Sequence, residues 1–168
     1  MEYRLRCQDF PVSRPEIADA LMDDLSLMEY NSTFDLRDVG KVSPVRDQNG
    51  WGTCWAFATF GSLESDILPA MNLTFSPKNL INRQGLDGNE NSGGGISRSM
   101  AYLTRWDGPV NETDDPYPVG NWTQSPAFPP AAHVQHVIEY PPRTNRTDTD
   151  SIKSGLLSWG AAYVSIYW

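Results

Sequence analysis

The stretch Gln48-Asn49-Gly50-Trp51-Gly52-Thr53-Cys54-Trp55-Ala56-Phe57 sets a glutamine six positions before a cysteine that a tryptophan follows directly. A cysteine nucleophile needs a thiolate, together with hydrogen-bond donors aimed at the oxyanion that it forms on a carbonyl. The two glycines permit a tight turn, and threonine is a helix-capping residue, so a helix is predicted to start at or next to Cys54. The positive end of that helix favours a thiolate. The stretch therefore predicts a nucleophile, Cys54, and an oxyanion donor, Gln48, but it contains no base.

The composition restricts the class of protein. The 168 residues suit one ordinary core or part of a larger domain. A formal net charge of −8 and the lack of a basic stripe argue against nucleic acid as a partner. Six tryptophans and 39% hydrophobic residues predict a packed globular protein. The sequence has no apolar run long enough to predict a membrane span, and residues 1–7 lack the apolar region of a signal peptide.

The two cysteines lie in different contexts. A disulfide between Cys7 and Cys54 is conceivable, but it would consume the thiol in the best catalytic context, and the chain does not have the cysteine density of a disulfide scaffold. Neither cysteine has a neighbouring ligand at metal spacing, which argues against a metal-binding or redox module. No metal and no organic cofactor is expected.

Five Asn-x-Ser/Thr sequons occur in the chain, starting at Asn31, Asn72, Asn111, Asn121 and Asn145. Chance alone predicts roughly one or two such tripeptides. The alternative explanation is a turn-rich composition, because Asn, Ser and Thr cluster in loops. Together with the acidic charge, the sequons predict a secreted glycoprotein, extracellular or at the cell surface, whose signal peptide is not in this chain.

Sequence patterns along the chain predict its elements. Residues 1–30 are predicted to be an N-terminal extension or propeptide remnant that contains a short amphipathic helix. The clearest helix runs from Cys54 to about Ile67 and is ended by Pro69. The other predictions are helices at 77–81, after a Ser76 cap, at 99–106 and at 151–157, strands at 134–140 and 161–168, a loop at 85–95 and an irregular crossing at 109–130.

Several segments, in order along the chain, resemble one family. They are Phe34-Asp35-Leu36-Arg37, Gly40 to Gln48, Gly52 to Phe57, Phe75-Ser76-Pro77, Ser92-Gly93-Gly94-Gly95, Asp115-Pro116-Tyr117-Pro118 and Ser151 to Ile166. The chain is similar to papain-like cysteine proteases from residue 34 to residue 168, most specifically between Gln48 and Cys54. The resemblance implies an α+β fold for residues 31–168, a partial papain-like peptidase domain. Its parts would be a mainly helical left domain at 31–130 and the first part of a right β-barrel domain at 131–168.

The resemblance also implies a role for each matching residue. Cys54 would be the nucleophile, and Gln48 and the backbone N–H of Cys54 would be the oxyanion donors. An extended peptide or protein substrate would pair with the exposed backbone of the glycine run. The residues expected to bind substrate are Gly52, Trp55, Gly94, Gly95, Ile96 and Ser97. The alternatives are a plain loop at the glycine run, a core residue at Ile96 and a buried structural thiol at Cys54.

One departure from the family pattern concerns a disulfide. The family usually carries bridged cysteines at the positions that Trp51 and Ser92 occupy here. Both partners are absent together, so packing of Trp51 is expected to hold the turn.

The second departure concerns the base. The family histidine lies about 130–150 residues after the cysteine, with an asparagine further on. His133 and His136 follow Cys54 by only 79 and 82 residues, so neither is predicted to be the base. The chain is therefore expected to be a truncated portion that is inactive alone. Strand 161–168 would be an unpaired edge that self-associates or pairs with the missing C-terminal half.

Glu64 lies ten residues into the predicted Cys54 helix. The family buries this side of the helix between its domains, whereas the alternative is an ordinary solvated glutamate. A buried carboxylate must find hydrogen-bond partners or shift its pKa upward.

Two functions remain open. The first is a cysteine-type peptidase, a thiol protease that hydrolyses peptide bonds by acyl transfer and whose histidine and asparagine lie outside this chain. The second is a catalytically inactive papain-fold protein that binds peptides or acts in cell-surface adhesion. A downstream histidine and asparagine in the full gene product would favour the protease.

Overall fold

The computed structural model describes the backbone of residues 2–7 and the whole of residues 30–140 and 142–166. The elements, in chain order, are β1 (Glu2–Cys7), α1 (Cys54–Ile67), α2 (Pro77–Arg83), α3 (Ile96–Thr104), β2 (Val134–Tyr140), α4 (Asp150–Trp159) and β3 (Tyr163–Val164). The amphipathic helix predicted within residues 1–30 lies outside the described residues. Of the described helices, none is both long and apolar enough to cross a bilayer.

Helix α1 is the centre of the core. It begins at the predicted residue, and it ends at Ile67, shortly before Pro69. Phe60 and Leu63 have no exposed surface, and the Phe60 ring packs against Phe75 at a centroid distance of 5.6 Å. Because α1 is buried over most of its length, the position of its first residue is fixed by the whole core.

Helices α2 and α3 pack against α1. The Ser76 hydroxyl accepts a hydrogen bond from the Asn79 N–H at 3.0 Å, and Pro77 occupies the first turn, so α2 starts as predicted. Helix α3 starts at Ile96, three residues earlier than predicted. The glycine run ends at its N-cap, Gly95, so the helix begins as soon as the chain leaves glycine.

The three strands form an antiparallel sheet in the order β2-β1-β3. Strand β2 has the predicted bounds, and its pairing with β1 is irregular between Arg6 and Cys7. The paired residues at the ends of this ladder are Glu2 with Tyr140 and Cys7 with Val134. Strand β1 also pairs with β3, through Glu2 with Val164 and Tyr3 with Tyr163.

Strand β3 corrects one prediction. It comprises only Tyr163–Val164 of the predicted strand 161–168, whose last two residues lie outside the described part of the chain. It is also not unpaired, because β1 supplies backbone hydrogen bonds along one edge. The sequence signal of an apolar alternating strand was real, but its partner is a segment far away along the chain.

The segment that leads into β3 is held against α1 by two serine side chains. The Ser62 hydroxyl donates to the Ala161 carbonyl at 2.7 Å, and the Ser65 hydroxyl accepts from the Ala161 N–H at 2.8 Å. Helix α4 precedes this segment and extends past its predicted end at Leu157 to Trp159. The sheet and the helical core are therefore joined at α1.

Candidate active site

The nucleophile candidate lies at the start of the central helix. Cys54 is the first residue of α1, it is exposed, and its thiol is free. The Thr53 carbonyl accepts from the Ala56 N–H at 2.9 Å, which closes the first turn. Thr53 occupies the N-cap position, but its hydroxyl does not cap the helix as predicted, because it bonds to Tyr117 instead.

The turn before Cys54 contains an asparagine in the left-handed conformation. Asn49 has a positive φ of 54°, and its N–H donates to Asp47 Oδ1 at 2.7 Å. Asparagine tolerates this left-handed conformation better than other side chains. Gly50 and Gly52, which were predicted to let the chain turn tightly, do not have a positive φ, so the left-handed residue of this turn is Asn49.

Gln48 lies on the far side of the same turn. Its side-chain N–H donates to the Trp51 carbonyl at 2.8 Å. A primary amide has a second N–H, so this bond does not use the whole donor capacity of the side chain. The amide is thereby anchored within the turn that ends at Cys54.

The glycine loop lies against this turn. A Cβ atom on Gly52 would lie 3.2 Å from the Asn91 carbonyl oxygen, which is tighter than an ordinary contact, so a larger residue here would push the glycine loop away slightly. A Cβ atom on Gly94 would lie 2.5 Å from Cε2 of Trp55, whose ring is buried beneath the loop. Close contact with the turn and the Trp55 ring makes this more than a plain surface loop.

The remaining predicted substrate-binding residues follow the loop directly. Gly95 is the N-cap of α3, and Ile96 and Ser97 are its first two residues. Ser97 is exposed, whereas Ile96 is half-buried and packs against the core. The structure therefore brings together Gln48, Gly52, Cys54, Trp55 and the glycine loop, with Ile96 and Ser97 at its C-terminal end.

Aromatic side chains pack around the turn where the family disulfide is missing. Trp51 meets Trp122 edge-on at a centroid distance of 5.5 Å, and Trp122 meets Tyr117 edge-on at 5.8 Å. The Trp122 indole N–H donates to Asn82 Oδ1 at 2.8 Å, which fixes the ring to α2. The predicted packing of Trp51 is thus present, but it is shared with Trp122 and Tyr117, for which no such contact was predicted.

Glu64 is buried, which settles the alternative left open by the sequence. It has no exposed surface, and its Oε1 accepts from Arg46 and from the Phe75 N–H, each at 2.9 Å. Arg46 Nη1 also lies 3.6 Å from Glu112 Oε2. Burial raises the pKa of the Glu112 carboxyl above its ordinary value, although a hydrogen bond from the Tyr117 N–H and the Arg46 charge oppose this rise.

The two histidines lie elsewhere in the fold. The His133 ring stacks on Trp106 at 4.5 Å, and His136 is exposed on β2.

Tyr163 is a further buried tyrosine near Cys54 that the sequence did not point to. Burial raises the pKa of its phenol, and the charge of a Cys54 thiolate raises it further. Within the described part of the chain, no three or more His, Cys, Asp or Glu residues form a group that could hold a metal ion.

Sequence comparison agrees with this geometry. Residues 30–166 match the profile of the family described as papain family cysteine protease. The chain belongs to this family. The predicted family and the papain-like α+β fold are therefore confirmed.

Individual relatives of this papain-family chain include proteases and a solved structure. A cathepsin L-like proteinase of Phaedon cochleariae is 29% identical over 118 residues, which cover 69% of this chain and 36% of that protein. Cathepsin 7 of Rattus norvegicus is 38% identical over 88 residues, covering 51% and 27%. The structure of digestive procathepsin L2 proteinase from Tenebrio molitor larval midgut matches with a TM-score of 0.51 and 30% identity, covering 60% of this chain and 33% of that one. In these matches the papain-family chain spans 27–36% of the length of its relatives.

Proposed function

We propose that this papain-family chain carries the nucleophile and the oxyanion site of a cysteine-type peptidase. The observation that supports this best is the exposed, free Cys54 at the first position of α1, beside a turn that anchors Gln48. A structural cysteine is typically buried, and a buried thiol would not reach a substrate carbonyl. Exposure at this point of the fold therefore favours a chemical role.

The proposed reaction is acyl transfer. The Cys54 thiol gives its proton to a histidine, and its sulfur attacks a peptide carbonyl carbon and forms a C–S bond, while the negative charge moves to the carbonyl oxygen. The second N–H of Gln48 and the backbone N–H of Cys54 stabilise this oxyanion. The C–N bond then breaks, the amine leaves with a proton from a histidine, and water hydrolyses the thioester. This histidine and the asparagine that orients it are proposed to come from beyond residue 168.

The proposed substrate is an extended peptide or protein segment. Gly94 is exposed beside Trp55, so its backbone is accessible for strand-like pairing. Ile96 and Ser97, at the start of α3, are proposed to lie near the pocket for the second substrate residue. Pairing through the backbone gives affinity with little dependence on substrate sequence.

The remainder of the papain domain is proposed to cover an apolar surface beside α1. A cavity of about 340 Å³ lies here, lined by Lys41, Val42, Ser43, Ala58, Gly61, Ser62, Ala161, Ala162 and Val164. Nearby, Ile166 is 72% exposed. Exposed apolar surface of this kind marks an interaction site. Self-association through the same surface is the alternative.

A catalytically inactive, peptide-binding or adhesive papain-fold protein is the second candidate. It is favoured by the bond between the Gln48 amide and the Trp51 carbonyl, which already engages the proposed oxyanion donor. Peptide binding along the glycine loop would need neither Gln48 nor a histidine.

The first experiment separates these two candidates. The 168-residue chain is mixed with the p-nitrophenyl ester of N-benzyloxycarbonyl-glycine, and nitrophenolate release and the mass of Cys54 peptides are measured. One equivalent of nitrophenolate and an acyl adduct on Cys54 are expected, without turnover of a peptide amide. Gln48→Ala should slow acylation by about 100-fold, whereas the exposed loop control Gln124→Ala should not.

Three outcomes would contradict the proposal. Acylation that persists in Cys54→Ser would exclude Cys54 as the nucleophile. A rate unchanged in Gln48→Ala would exclude Gln48 as the oxyanion donor and favour the binding protein. Turnover of a peptide amide that depends on Cys54 would place a base within these residues, and would require His133 and His136 to be tested.

A secreted, glycosylated form is also proposed. The sequon residues Asn31, Asn72, Asn121 and Asn145 are exposed, whereas Asn111 is half-buried. Exposed asparagines can carry a bulky glycan without disturbing the core. Expression with a secretory signal, followed by enzymatic glycan removal and mass spectrometry, should show occupancy at exposed sequons. An unmodified secreted chain would contradict this proposal.

A further inference from the structure

The Tyr117 hydroxyl lies between the two ends of the turn that precedes Cys54. It donates to the Gln48 backbone carbonyl at 2.8 Å, and it lies 2.6 Å from Thr53 Oγ1. A carbonyl can only accept, and a phenol has one proton, so the Thr53 hydroxyl donates to the Tyr117 oxygen. The result is a directed chain of hydrogen bonds from Thr53 through Tyr117 to Gln48.

The two residues in contact with Tyr117 flank the chemistry. Gln48 opens the turn, and Thr53 immediately precedes Cys54 at the start of α1. We infer that Tyr117 is a positioning residue, whose hydroxyl fixes the distance between the oxyanion donor and the nucleophile. This inference rests on the proposed function, and it assigns to Tyr117 a role outside the reacting groups themselves.

Tyr117 is itself held from several sides. Its ring meets Phe57 of α1 edge-on at 4.9 Å and Trp122 at 5.8 Å. Its backbone N–H donates to Glu112 Oε1 at 2.7 Å. A hydroxyl on a ring fixed in this way holds its partners more tightly than one on a mobile side chain. Burial also raises the pKa of Tyr117, so the phenol keeps its proton at neutral pH.

The Thr53 contact supports positioning over a purely structural role. Thr53 is fully buried at the N-cap, where a threonine hydroxyl ordinarily bonds to the helix backbone. Here the hydroxyl makes no such cap and bonds to Tyr117. The helix start is therefore tied across to the Gln48 side of the turn rather than to its own first turn.

Tyr102, whose hydroxyl is also hydrogen-bonded to another residue, provides a control. Tyr102 of α3 has no exposed surface, and its hydroxyl donates to Asn79 Oδ1 at 2.7 Å. Tyr102→Phe and Tyr117→Phe each remove one hydrogen-bonded phenol hydroxyl, the first from a fully buried residue and the second from a half-buried one. Only Tyr117→Phe removes a contact with the turn before Cys54. Comparing the two variants therefore separates a general loss of stability from a change in the position of that turn.

The test compares two reagents on the full 168-residue chain. Iodoacetamide alkylates Cys54 at a saturated carbon and creates no oxyanion, whereas the p-nitrophenyl ester of N-benzyloxycarbonyl-glycine acylates it through one. The ratio of the two rates therefore reports on the oxyanion donor and not on thiol exposure. Tyr117→Phe should lower the ester-to-iodoacetamide ratio by about 10-fold, and Tyr102→Phe should leave it unchanged.

Two substitutions at Thr53 guard against a variant that fails to fold. Thr53→Val removes the donor to Tyr117 but keeps the side-chain shape, and it should lower the ratio in the same direction. Thr53→Ser keeps the hydroxyl, and it should restore the wild-type ratio. A ratio that is unchanged in both Tyr117→Phe and Thr53→Val, with the fold intact by circular dichroism, would overturn the inference.

Hydrogen exchange separates this inference from the proposed function. In Tyr117→Phe the amides of residues 48–54 should exchange faster, while those in Tyr102→Phe should not. Unchanged exchange in Tyr117→Phe would overturn the inference whatever the reactivity of Cys54. A different result would reject only the proposed peptidase function. If exchange is faster in Tyr117→Phe but wild-type Cys54 is not acylated by the ester above the Cys54→Ser background, Tyr117 still holds the turn in place.

Discussion

At the scale of single residues, the Arg46 guanidinium pairs with the buried Glu64 carboxylate of α1. Arg46 donates to the buried Glu64 at 2.9 Å and to the Phe75 carbonyl at 2.8 Å, and it lies 5.4 Å from the centroid of the Phe57 ring. A carboxylate in a low-dielectric interior is stable only while its partner remains. The burial of Glu64 therefore makes the fold dependent on Arg46.

Removing this partner is expected to be costly. Arg46→Met leaves Glu64 buried and unpaired, so the free energy of unfolding should fall by about 3–5 kcal/mol. The double variant Arg46→Met with Glu64→Gln should lose less, because the uncompensated charge is gone. Urea denaturation of the three proteins measures both quantities. Equal losses in the single and double variants would show that Arg46 acts through packing alone.

Glu112 is expected to make stability depend on pH. Burial raises its pKa, so the folded chain binds this proton more tightly than the unfolded chain does. Its contribution to stability is therefore lost as pH rises through the folded pKa. Glu112→Gln removes this dependence, and relative to wild type it should gain stability as pH rises above about 4, the ordinary pKa of a glutamate. A stability difference between the two proteins that stays constant in urea titrations at increasing pH would contradict the expectation.

The roles of some of these residues could be predicted from the sequence, and those of others could not. Cys54 at a helix start followed from a short local pattern, and the structure has it there. The burial of Glu64 could not be chosen from sequence, because it depends on Arg46, which lies 18 residues away. The contacts of Tyr117 with Gln48 and Thr53 were missed for the same reason, since they span 69 and 64 residues.

At the scale of elements, α4 packs on β2 through a glycine. A Cβ atom on Gly155 would lie 2.5 Å from Cζ of Tyr140, so the helix approaches the strand too closely for any larger residue. By contrast, a Cβ atom on Gly61 of α1 would meet nothing within 4 Å. Gly155 is therefore needed for close packing of α4 on β2, whereas Gly61 is not needed for packing of α1.

Alanine substitutions should separate the two glycines. Gly155→Ala must displace α4 or the Tyr140 ring, and it should lower the free energy of unfolding by about 1–3 kcal/mol. Gly61→Ala adds no clash and removes backbone freedom from the unfolded chain, so it should raise stability by about 0.5–1 kcal/mol. Thermal unfolding followed by circular dichroism gives both signs. The same sign in both variants would refute this account of the α4–β2 contact.

Elements with local signals were predicted well. The Ser76-Pro77 start of α2, the bounds of β2 and the length of α1 follow from caps, prolines and periodicity. The early start of α3 was missed because Gly95 serves as its N-cap, whereas glycines at that point read as a loop. The pairing of β1 with both other strands has no local signal at all, since pairing is decided by distant partners.

At the scale of the whole molecule, β1 occupies the middle of the sheet and leaves β2 and β3 at its edges. Without β1, both strands would present unpaired backbone on the sides that now face it. Deletion of residues 2–7 should therefore increase self-association, measured by light scattering across a concentration series. Leu5→Pro, which removes one N–H opposite Val137, should have a smaller effect in the same direction.

The result that would contradict this prediction is concentration dependence identical in the deleted and full chains. It would mean that β1 does not protect the edges. If Ile166→Lys abolishes self-association of the full chain, the association would instead occur through the apolar surface beside α1. Ile166, which lies near this surface, is 72% exposed.

The central position of β1 also bears on how quickly the chain can fold. Helices α1, α2 and α3 meet after closing short loops, whereas the pairing of Glu2 with Val164 joins residues from opposite ends of the described chain. Closing a longer loop costs more chain entropy, and proteins rich in such distant contacts fold more slowly. Amide protection in a refolding experiment should thus arise in α1 before it arises in β2. Until the strand docks, the chain has a formed helical core and two uncovered strands, and this interval is when a chaperone would matter most.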